Sequence, residues 1–330
     1  MISRVADHCF WFGRYLDRVE STARLLQATR ALVFDADIPV THCWQPLIIV
    51  AGEEEPFQEL HGQEAFGNGE LVQEYLTWSR ESPVSLTSSA RFARECARAV
   101  RDQLSIDAWE EVNELYLWLG RPSARTLYEE NRESFYRNVR RSTQLTMGLV
   151  RSTMLHEEPM SFLWLGAMLE RVGQTARTLD MHHHTMERES AHDIVQVALW
   201  MSLLRACSGA EAFMKKNQGR VTAQSMVAFL LLEPTFPRAL YYCVQSAHGL
   251  LRRIWKERAG EGARASLVRI EALLAWLQGR GKALDLSQIH ELLTHVVDET
   301  AAICSHVSHE IQGPPRALAQ VQSQRAELAE

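Results

Sequence analysis

Two acidic-arginine steps are the residues whose types and spacing best suit chemistry. Asp17-Arg18 lies in the segment FWFGRYLDRVESTARLL, and Glu170-Arg171 lies in the later segment FLWLGAMLERVGQTARTLD. A carboxylate can carry a proton and a guanidinium can clamp an anion, so each step could serve an acid-base reaction. Because a neighbouring arginine keeps a carboxylate ionised, Glu170 and Asp17 are only weak catalytic candidates, better suited as bases than as acids.

A second polar row follows each step on the same helical face. Glu20 and Arg24 follow the first step, whereas Gly173 and Arg177 occupy the matching positions after the second. Charges that border an apolar packing surface must be paired or hydrogen-bonded, because removing an isolated charge from water is costly. The nearby arginines are suitable partners for the carboxylates.

This polar row has two interpretations. In the first, the acidic and arginine side chains only lock two helical segments in register. In the second, they converge on a polar pocket in which guanidinium groups hold a carboxylate or phosphate ligand. Gly13 and Gly166 fit both, because they permit close helix approach or leave room for a ligand. The candidate ligand- or partner-binding residues of the row are Arg18, Glu20, Arg24, Arg171 and Arg177.

A further set of arginines lies in the segment RFARECARAVRDQL. Arg94, Arg98 and Arg101 recur at steps of four and three residues, which places them on one face of a predicted helix. The pattern predicts either a solvated face with internal ion pairs or a guanidinium surface that meets an acidic peptide or a partner enzyme. These three arginines are therefore also candidate binding residues.

Other familiar sites are incomplete. In HELLTH, His290 and His295 are separated by about 140° around a helix, so they do not form the pair of ligands found in zinc proteases. The segment GRGKA lacks the leading glycine and the Ser or Thr of a phosphate-binding loop. Neither a metal nor a cofactor is predicted. The six cysteines are far apart and without a Cys-x-x-Cys pair, which predicts buried reduced thiols.

Composition restricts the class of partner. The chain of 330 residues has a formal net charge of −6 and no clustered basic segment, which argues against nucleic-acid binding. Its N-terminus does not resemble a signal peptide, and no run reaches the roughly 18 apolar residues of a membrane span. We therefore expect a cytoplasmic protein that binds neither nucleic acid nor membrane.

Helical periodicity connects the candidate residues. Apolar residues at alternating steps of four and three form one stripe along residues 5–26, and the stripe returns along residues 165–179 at an offset of 153. Offsets of 154 to 156 relate later pairs such as Trp44 and Trp200. We predict an all-α protein, an internally duplicated helical bundle with two pseudo-two-fold-related halves packed on their apolar stripes.

The chain is predicted to have three parts. These are a first helical repeat (1–157), a second helical repeat (158–315) and a polar tail (316–330), and we expect the two repeats to form one domain. Ser105 is predicted to cap a helix, and one long helix is predicted from about Ser123 to His156. Later helices are predicted near 190–207, 222–231, 237–257, 263–278 and 287–309. The charged stretch at 53–55 is predicted to be solvated.

Five segments together resemble the bacterial alpha-E family, also called domain of unknown function 403, which is all-helical and named for a Glu-Arg motif. They span roughly residues 1–315 and are MISRVADHCFWFGRYLDRVESTARLL, WQPLIIVAGEEEPF, SARFARECARAVRDQLSIDAWEEVNELYLWL, FLWLGAMLERVGQTARTLD and MVAFLLLEPTFPRALYYC. The family motif falls on Glu170-Arg171, whereas the first copy carries the shorter Asp17. Two family turns, Asn-Pro-Ser-Ser and Phe-Pro-Arg-Ser, are replaced by SPVS and FPRA.

The resemblance implies a functional context. Alpha-E proteins are encoded beside, or fused to, circularly permuted ATP-grasp ligases, often with transglutaminase-like peptidases, which suggests a system that forms and trims amide bonds on peptides. The implied partners are such a ligase, such a peptidase and a peptide substrate. We expect a helical accessory or substrate-binding component without activity of its own. The alternatives are an independent enzyme with a carboxylate-arginine site between the repeats, and a purely structural scaffold.

Overall fold

The chain folds into helices throughout the residues that can be described. The computed structural model describes residues 3–35, 39–188, 193–218, 221–257, 264–280 and 284–312. Within these ranges fifteen α-helices and two short 3-10 helices are assigned, and no residue is assigned to a strand. The prediction of an all-α protein is confirmed. The predicted tail at 316–330 lies outside the described residues.

The helices fall into two series that each begin with a long helix. The first series consists of α1 (Ser3–Asp35), α2 (Val40–Ala51), α3 (Glu54–His61), α4 (Gly69–Trp78), α5 (Leu86–Ala99), α6 (Ile106–Leu119), α7 (Pro122–Glu130) and α8 (Arg132–Thr153). The second consists of α9 (Glu158–Arg188), α10 (Asp193–Ala206), α11 (Ala210–Lys216), α12 (Ala223–Leu232), α13 (Leu240–Glu257), α14 (Ala265–Arg280) and α15 (Ile289–Gln312). The 3-10 helices are Gln63–Gly67 and Leu286–Gln288.

Side-chain caps decide several helix ends. The hydroxyl of Ser105 accepts a hydrogen bond from the backbone N–H of Ala108 at 3.2 Å, so the predicted cap of α6 is confirmed. The predicted single helix from Ser123 to His156 is wrong. The side chain of Asn131 accepts from the backbone N–H of Ser134 at 3.0 Å, which begins α8 and separates it from α7. The later predicted helices agree with α10 and α12–α15 to within three residues.

The charged stretch at 53–55 is not uniformly solvated. Glu54 and Glu55 are exposed, but Glu53 is buried and accepts a hydrogen bond from the hydroxyl of Tyr75 at 2.7 Å. Gly52 ends α2 in the left-handed conformation, with φ of 74°, and Glu53 begins the turn into α3. Burial, together with this carboxylate, raises the pKa of Tyr75. The prediction of a solvated stretch is therefore wrong at Glu53.

Helices α1 and α9 pack backbone to backbone at the centre of the protein. A Cβ built on Gly13 would lie 1.9 Å from the carbonyl oxygen of Leu163, and one built on Gly166 would lie 2.0 Å from that of Phe10. Contacts at later positions join Arg14 and Asp17 of α1 to residues 170 and 171 of α9, so the two helices run in the same direction. The two glycines therefore serve close helix approach.

The other helices pack around α1 and α9, and the neighbours of α1 correspond to the neighbours of α9. Helix α1 also contacts α5, α8 and α10, whereas α9 also contacts α13, α15 and α2, which hold the corresponding places in the two series. A duplicated bundle with a pseudo-two-fold axis predicts such an exchange of partners, although the duplication and the boundaries of the repeats stay predictions. All six cysteines are buried and free, as predicted. No helix in the described ranges is both long and apolar enough to cross a membrane.

We expect replacement of Gly13 by Ala to destabilise the protein by about 3 kcal/mol or to prevent folding. The new methyl group would meet the backbone of Leu163, which cannot give way unless α1 and α9 separate. Gly148, on the exposed side of α8, supplies the control, because among the described residues its built Cβ meets nothing within 4 Å outside the adjacent backbone of its own helix. There, Gly148→Ala should stabilise the protein by about 0.5–1 kcal/mol. Denaturant unfolding followed by circular dichroism measures both; equal stabilities for the two variants would contradict the close approach.

Candidate functional site

The carboxylate of Glu170 is the most heavily hydrogen-bonded acidic group between α1 and α9. Arg18 donates from Nε to Oε1 at 2.7 Å and from Nη2 to Oε2 at 3.0 Å, which is a two-pronged contact. Arg14 donates from Nε to Oε2 at 2.9 Å, and Gln174 donates from Nε2 to Oε1 at 3.2 Å. Glu170 is only 2% exposed, so its charge is neutralised by the protein rather than by water.

The surroundings of Glu170 fix its ionisation. Burial by itself raises the pKa of the Glu170 carboxyl group, but the guanidinium groups of Arg18 and Arg14 act against it and lower the pKa to about 2. A carboxylate with this pKa does not exchange protons near neutral pH, and both of its oxygens already accept hydrogen bonds. The arrangement is that of a structural anion and does not favour Glu170 as a catalytic acid or base.

Asp17 and Arg171 make the reciprocal contact from α1 to α9. Arg171 donates from Nε and Nη2 to Oδ1 of Asp17 at 3.0 and 2.6 Å, and from Nη1 to the carbonyl oxygen of Pro237 at 3.2 Å. The shorter aspartate therefore reaches its partner, although one of its oxygens takes both bonds. Burial lowers the pKa of Arg171, but Asp17 raises it, and the net direction is upward. Both acidic-arginine steps thus join the two helices, as the first interpretation predicts.

Glu20 forms a third buried centre. Its two oxygens are paired with Arg24, four residues later on α1, and with Arg238, which lies between α12 and α13. Gln144 of α8 also donates from Nε2 to Oε1 of Glu20 at 3.0 Å. The structure therefore brings the predicted residues Glu20 and Arg24 together, and adds two donors from distant parts of the chain.

Three donors that reach these carboxylates from another part of the chain were not among the sequence candidates. Arg14 lies four residues before Arg18, and this helical step was an available indication, but the residue at the offset of 153 is Ala167. Arg238 and Gln144 lie 218 and 124 residues from Glu20, and no local spacing relates them to it. Only the packing of the helices reveals their role.

Arg177 differs from its counterpart Arg24 in lacking a carboxylate. Gly173 stands four residues before Arg177, where Glu20 stands before Arg24. Within the described ranges Arg177 makes no hydrogen bond or ion pair, and its Nε atom is buried without a partner. Burial lowers the pKa of Arg177, Glu170 raises it, Arg18 and Arg14 lower it, and the net direction is downward.

A cavity of about 260 Å³ adjoins Arg177 between α1, α2 and α9. We call it the arginine cavity, because Arg14, Arg18 and Arg177 line it together with apolar residues such as Leu47 and Val50. These three guanidinium groups face one buried carboxylate, Glu170, so positive charge is in excess at this point. The arrangement is chemically suited to an anion, and the second interpretation stays a prediction.

The arginines of the α5 region lie apart from these contacts. Arg94 donates from Nε to Oδ1 of Asn113 at 2.8 Å, and Arg98 pairs with Glu95 at 2.5 Å. Helix α5 ends at Ala99, so Arg101 does not continue its helical face, and its guanidinium instead lies 5.3 Å from the ring centre of Trp109. The internal contacts favour the interpretation of a solvated face.

The two histidines of HELLTH have separate surroundings. His290 contacts Asp180 at 2.8 Å, whereas the ring of His295 lies 4.5 Å from that of Trp276. No group of three or more potential metal ligands is found among the described residues.

We expect Glu170→Gln to lower the free energy of unfolding at neutral pH by about 3 kcal/mol. The substitution would leave the partly buried guanidinium groups of Arg14 and Arg18 without their counter-charge. Glu271, an exposed residue whose oxygen contacts His248, supplies the control, and Glu271→Gln should change stability by less than about 1 kcal/mol. Urea unfolding measures both variants, and equal losses would contradict a special role for Glu170.

The lowered pKa of Glu170 also predicts how the stability of the wild-type protein and of Glu170→Gln should depend on pH. Because the folded-state pKa of Glu170 is about 2, below its ordinary value of 4.5, its ionised form stabilises the fold above about pH 4.5. This contribution is lost as the pH falls toward 2. Between pH 5 and pH 2, the stability of the wild-type protein should fall by up to about 3 kcal/mol more than that of Glu170→Gln. Parallel pH profiles would show that Glu170 is not held ionised.

Comparison with known proteins identifies the family of this chain but does not identify a reaction. Residues 1–313 match Alpha-E, described as a predicted alpha-helical domain with a conserved ER motif. Over 254 residues the chain is 25% identical to an uncharacterised protein of Mycobacterium bovis, and 25% and 24% identical to two of Mycobacterium tuberculosis. Each match covers 72% of this chain but only 28% of the relative. No solved structure matches. Because the family match runs over nearly the whole sequence, the chain belongs to the Alpha-E family.

Proposed function

We propose that this protein is an accessory, substrate-binding component of an ATP-grasp-dependent amide-ligation system, and that the arginine cavity holds an anionic group of its peptide substrate. The observation that carries the proposal is the guanidinium group of Arg177, which lines the cavity and lacks a partner in the described part of the chain. A partly buried guanidinium without hydrogen-bond acceptors lowers the stability of the free protein. A bound anion would remove this cost.

The size of the arginine cavity limits what enters it. Pockets that enclose a drug-sized ligand measure about 300–1,000 Å³, and this cavity of about 260 Å³ is smaller. One side chain or one chain terminus fits such a volume better than a whole peptide. The rest of a peptide would then lie outside, where a partner enzyme could act on it.

The family context supports an amide-forming partner. The resemblance to alpha-E proteins implies a circularly permuted ATP-grasp ligase and a transglutaminase-like peptidase, and an amide bond is formed from a carboxylate and an amine. The three mycobacterial relatives extend well beyond the matched segment, which agrees with a domain that works beside others. We propose a cytoplasmic location, where the ligase has access to ATP, and no catalytic step by this chain itself.

We expect the tagged full-length protein, purified from its own cells, to recover an ATP-grasp ligase in amounts comparable to its own. Mass spectrometry of the eluate identifies the partner, and the same tag on an unrelated helical protein is the control. Recovery of the chain alone, with no ATP-grasp or peptidase partner, would contradict the accessory role. It would leave the arginine cavity as a binding site of an independent protein.

We expect Arg177→Met to abolish anion binding without loss of stability. Isothermal titration with inorganic phosphate and with acetyl-Ala-Glu-Ala-amide should show binding of at least one probe to the wild-type protein, and at least about tenfold weaker binding to the variant. Arg121→Met is the matched control, since Arg121 is exposed and pairs with Glu114. Binding that is equal in the wild-type protein and Arg177→Met would place the anion elsewhere.

A further inference from the structure

Arg24 of α1 and Arg177 of α9 occupy matching positions but have different neighbours. Arg24 of α1 pairs with Glu20, four residues before it, and Glu20 is almost completely buried. In the second half Gly173 takes the place of Glu20, and Arg177 takes the place of Arg24, both at an offset of 153. One half thus contains the carboxylate that the other half lacks.

The space at Gly173 is directed toward the guanidinium of Arg177. A Cβ built on Gly173 would have as its three nearest heavy atoms Nη2, Nη1 and Cζ of Arg177, at 3.3, 3.5 and 3.6 Å. A longer side chain at this position would therefore start beside the Arg177 fork. The helical step from Gly173 to Arg177 is the same as the step that joins Glu20 to Arg24.

The donors that remain free suit a carboxylate. Arg14 and Arg18 already donate to both oxygens of Glu170, whereas Arg177 makes no hydrogen bond to a carboxylate within the described ranges. One planar guanidinium presents two parallel N–H groups, which match the two oxygens of one carboxylate. The same fork can bind phosphate, so the affinities for inorganic phosphate and for a carboxylate peptide have to be compared.

We propose that the ligand of the arginine cavity is the carboxylate of an acidic peptide side chain, and that it takes at Arg177 the place that Glu20 takes at Arg24. This inference rests on the proposed function, because it names the chemical class of the anion bound there. The first half of the protein thereby carries, as its own side chain, the group that the second half receives from a ligand.

The variant Gly173→Glu tests whether a carboxylate can take this place at Arg177. The new side chain should pair with Arg177, weaken the binding of acetyl-Ala-Glu-Ala-amide by at least about tenfold, and raise Tm by about 2 °C. Acetyl-Ala-Gln-Ala-amide should bind neither the variant nor the wild-type protein. Gly148→Glu is the matched control, because Gly148 is exposed in a helix with nothing near its built Cβ, and it should leave peptide affinity unchanged.

A second variant shows whether the gain in Tm of Gly173→Glu comes from the pair with Arg177 or from the higher helix propensity of Glu. If the gain in Tm comes from the pair, it should be smaller in Gly173→Glu with Arg177→Met than in Gly173→Glu alone. An equal gain in both backgrounds, or unchanged peptide affinity in Gly173→Glu, would overturn the inference.

The two proposals fail in different ways. Binding of inorganic phosphate that requires Arg177, with no binding of the glutamate peptide, would leave the anion site standing and overturn its assignment to a carboxylate. Absence of binding by either probe to the wild-type protein would overturn the anion site itself. Binding of the glutamate peptide, lost in both Arg177→Met and Gly173→Glu, supports both.

Discussion

The direct backbone contact between α1 and α9 is the constraint on which the rest of the structure depends. At Gly13 and Gly166 the two helices are so close that no side chain fits between them. One turn later the same closeness brings each acidic-arginine step against the other helix, so the charges of both are buried together. Burial would make each carboxylate costly, and the guanidinium groups from the facing helix offset that cost. The close packing of α1 against α9 and the pairing of their charges thus depend on each other.

The contacts between α1 and α9 are reciprocal, so a position at which one helix lacks the matching residue is informative. Where α1 and α9 both carry an acid and an arginine, as at Asp17 and Glu170, the charges satisfy each other across the interface. Where one half carries Gly173 in place of an acid, the arginine remains and the carboxylate does not. A purely structural lock gives no reason to keep a guanidinium at Arg177, since an apolar side chain would avoid the loss of hydration. This asymmetry favours a binding role over a scaffold.

The sequence predicted the helices and the central charges but not the full set of donors. Apolar periodicity and the Ser105 cap are local features, so they could be read from neighbouring residues. Asn131 was missed because its side chain begins a new helix within a continuous apolar pattern, which periodicity alone does not detect. Arg238 pairs with Glu20 across more than two hundred residues, and the angles at which helices pack decide such a contact. The burial of Glu53 likewise depends on how the chain turns at Gly52.

The lowered pKa of Glu170 also limits the chemistry of the family motif in this chain. A Glu-Arg pair could be taken as an acid-base site, but a carboxylate that accepts several hydrogen bonds and stays ionised to about pH 2 has no proton to give and no free oxygen to receive one. Its charge instead holds Arg14 and Arg18 in place at the wall of the arginine cavity. In the proposed function Arg177 is the group that would meet the ligand, and the motif would affect binding by positioning the neighbouring guanidinium groups.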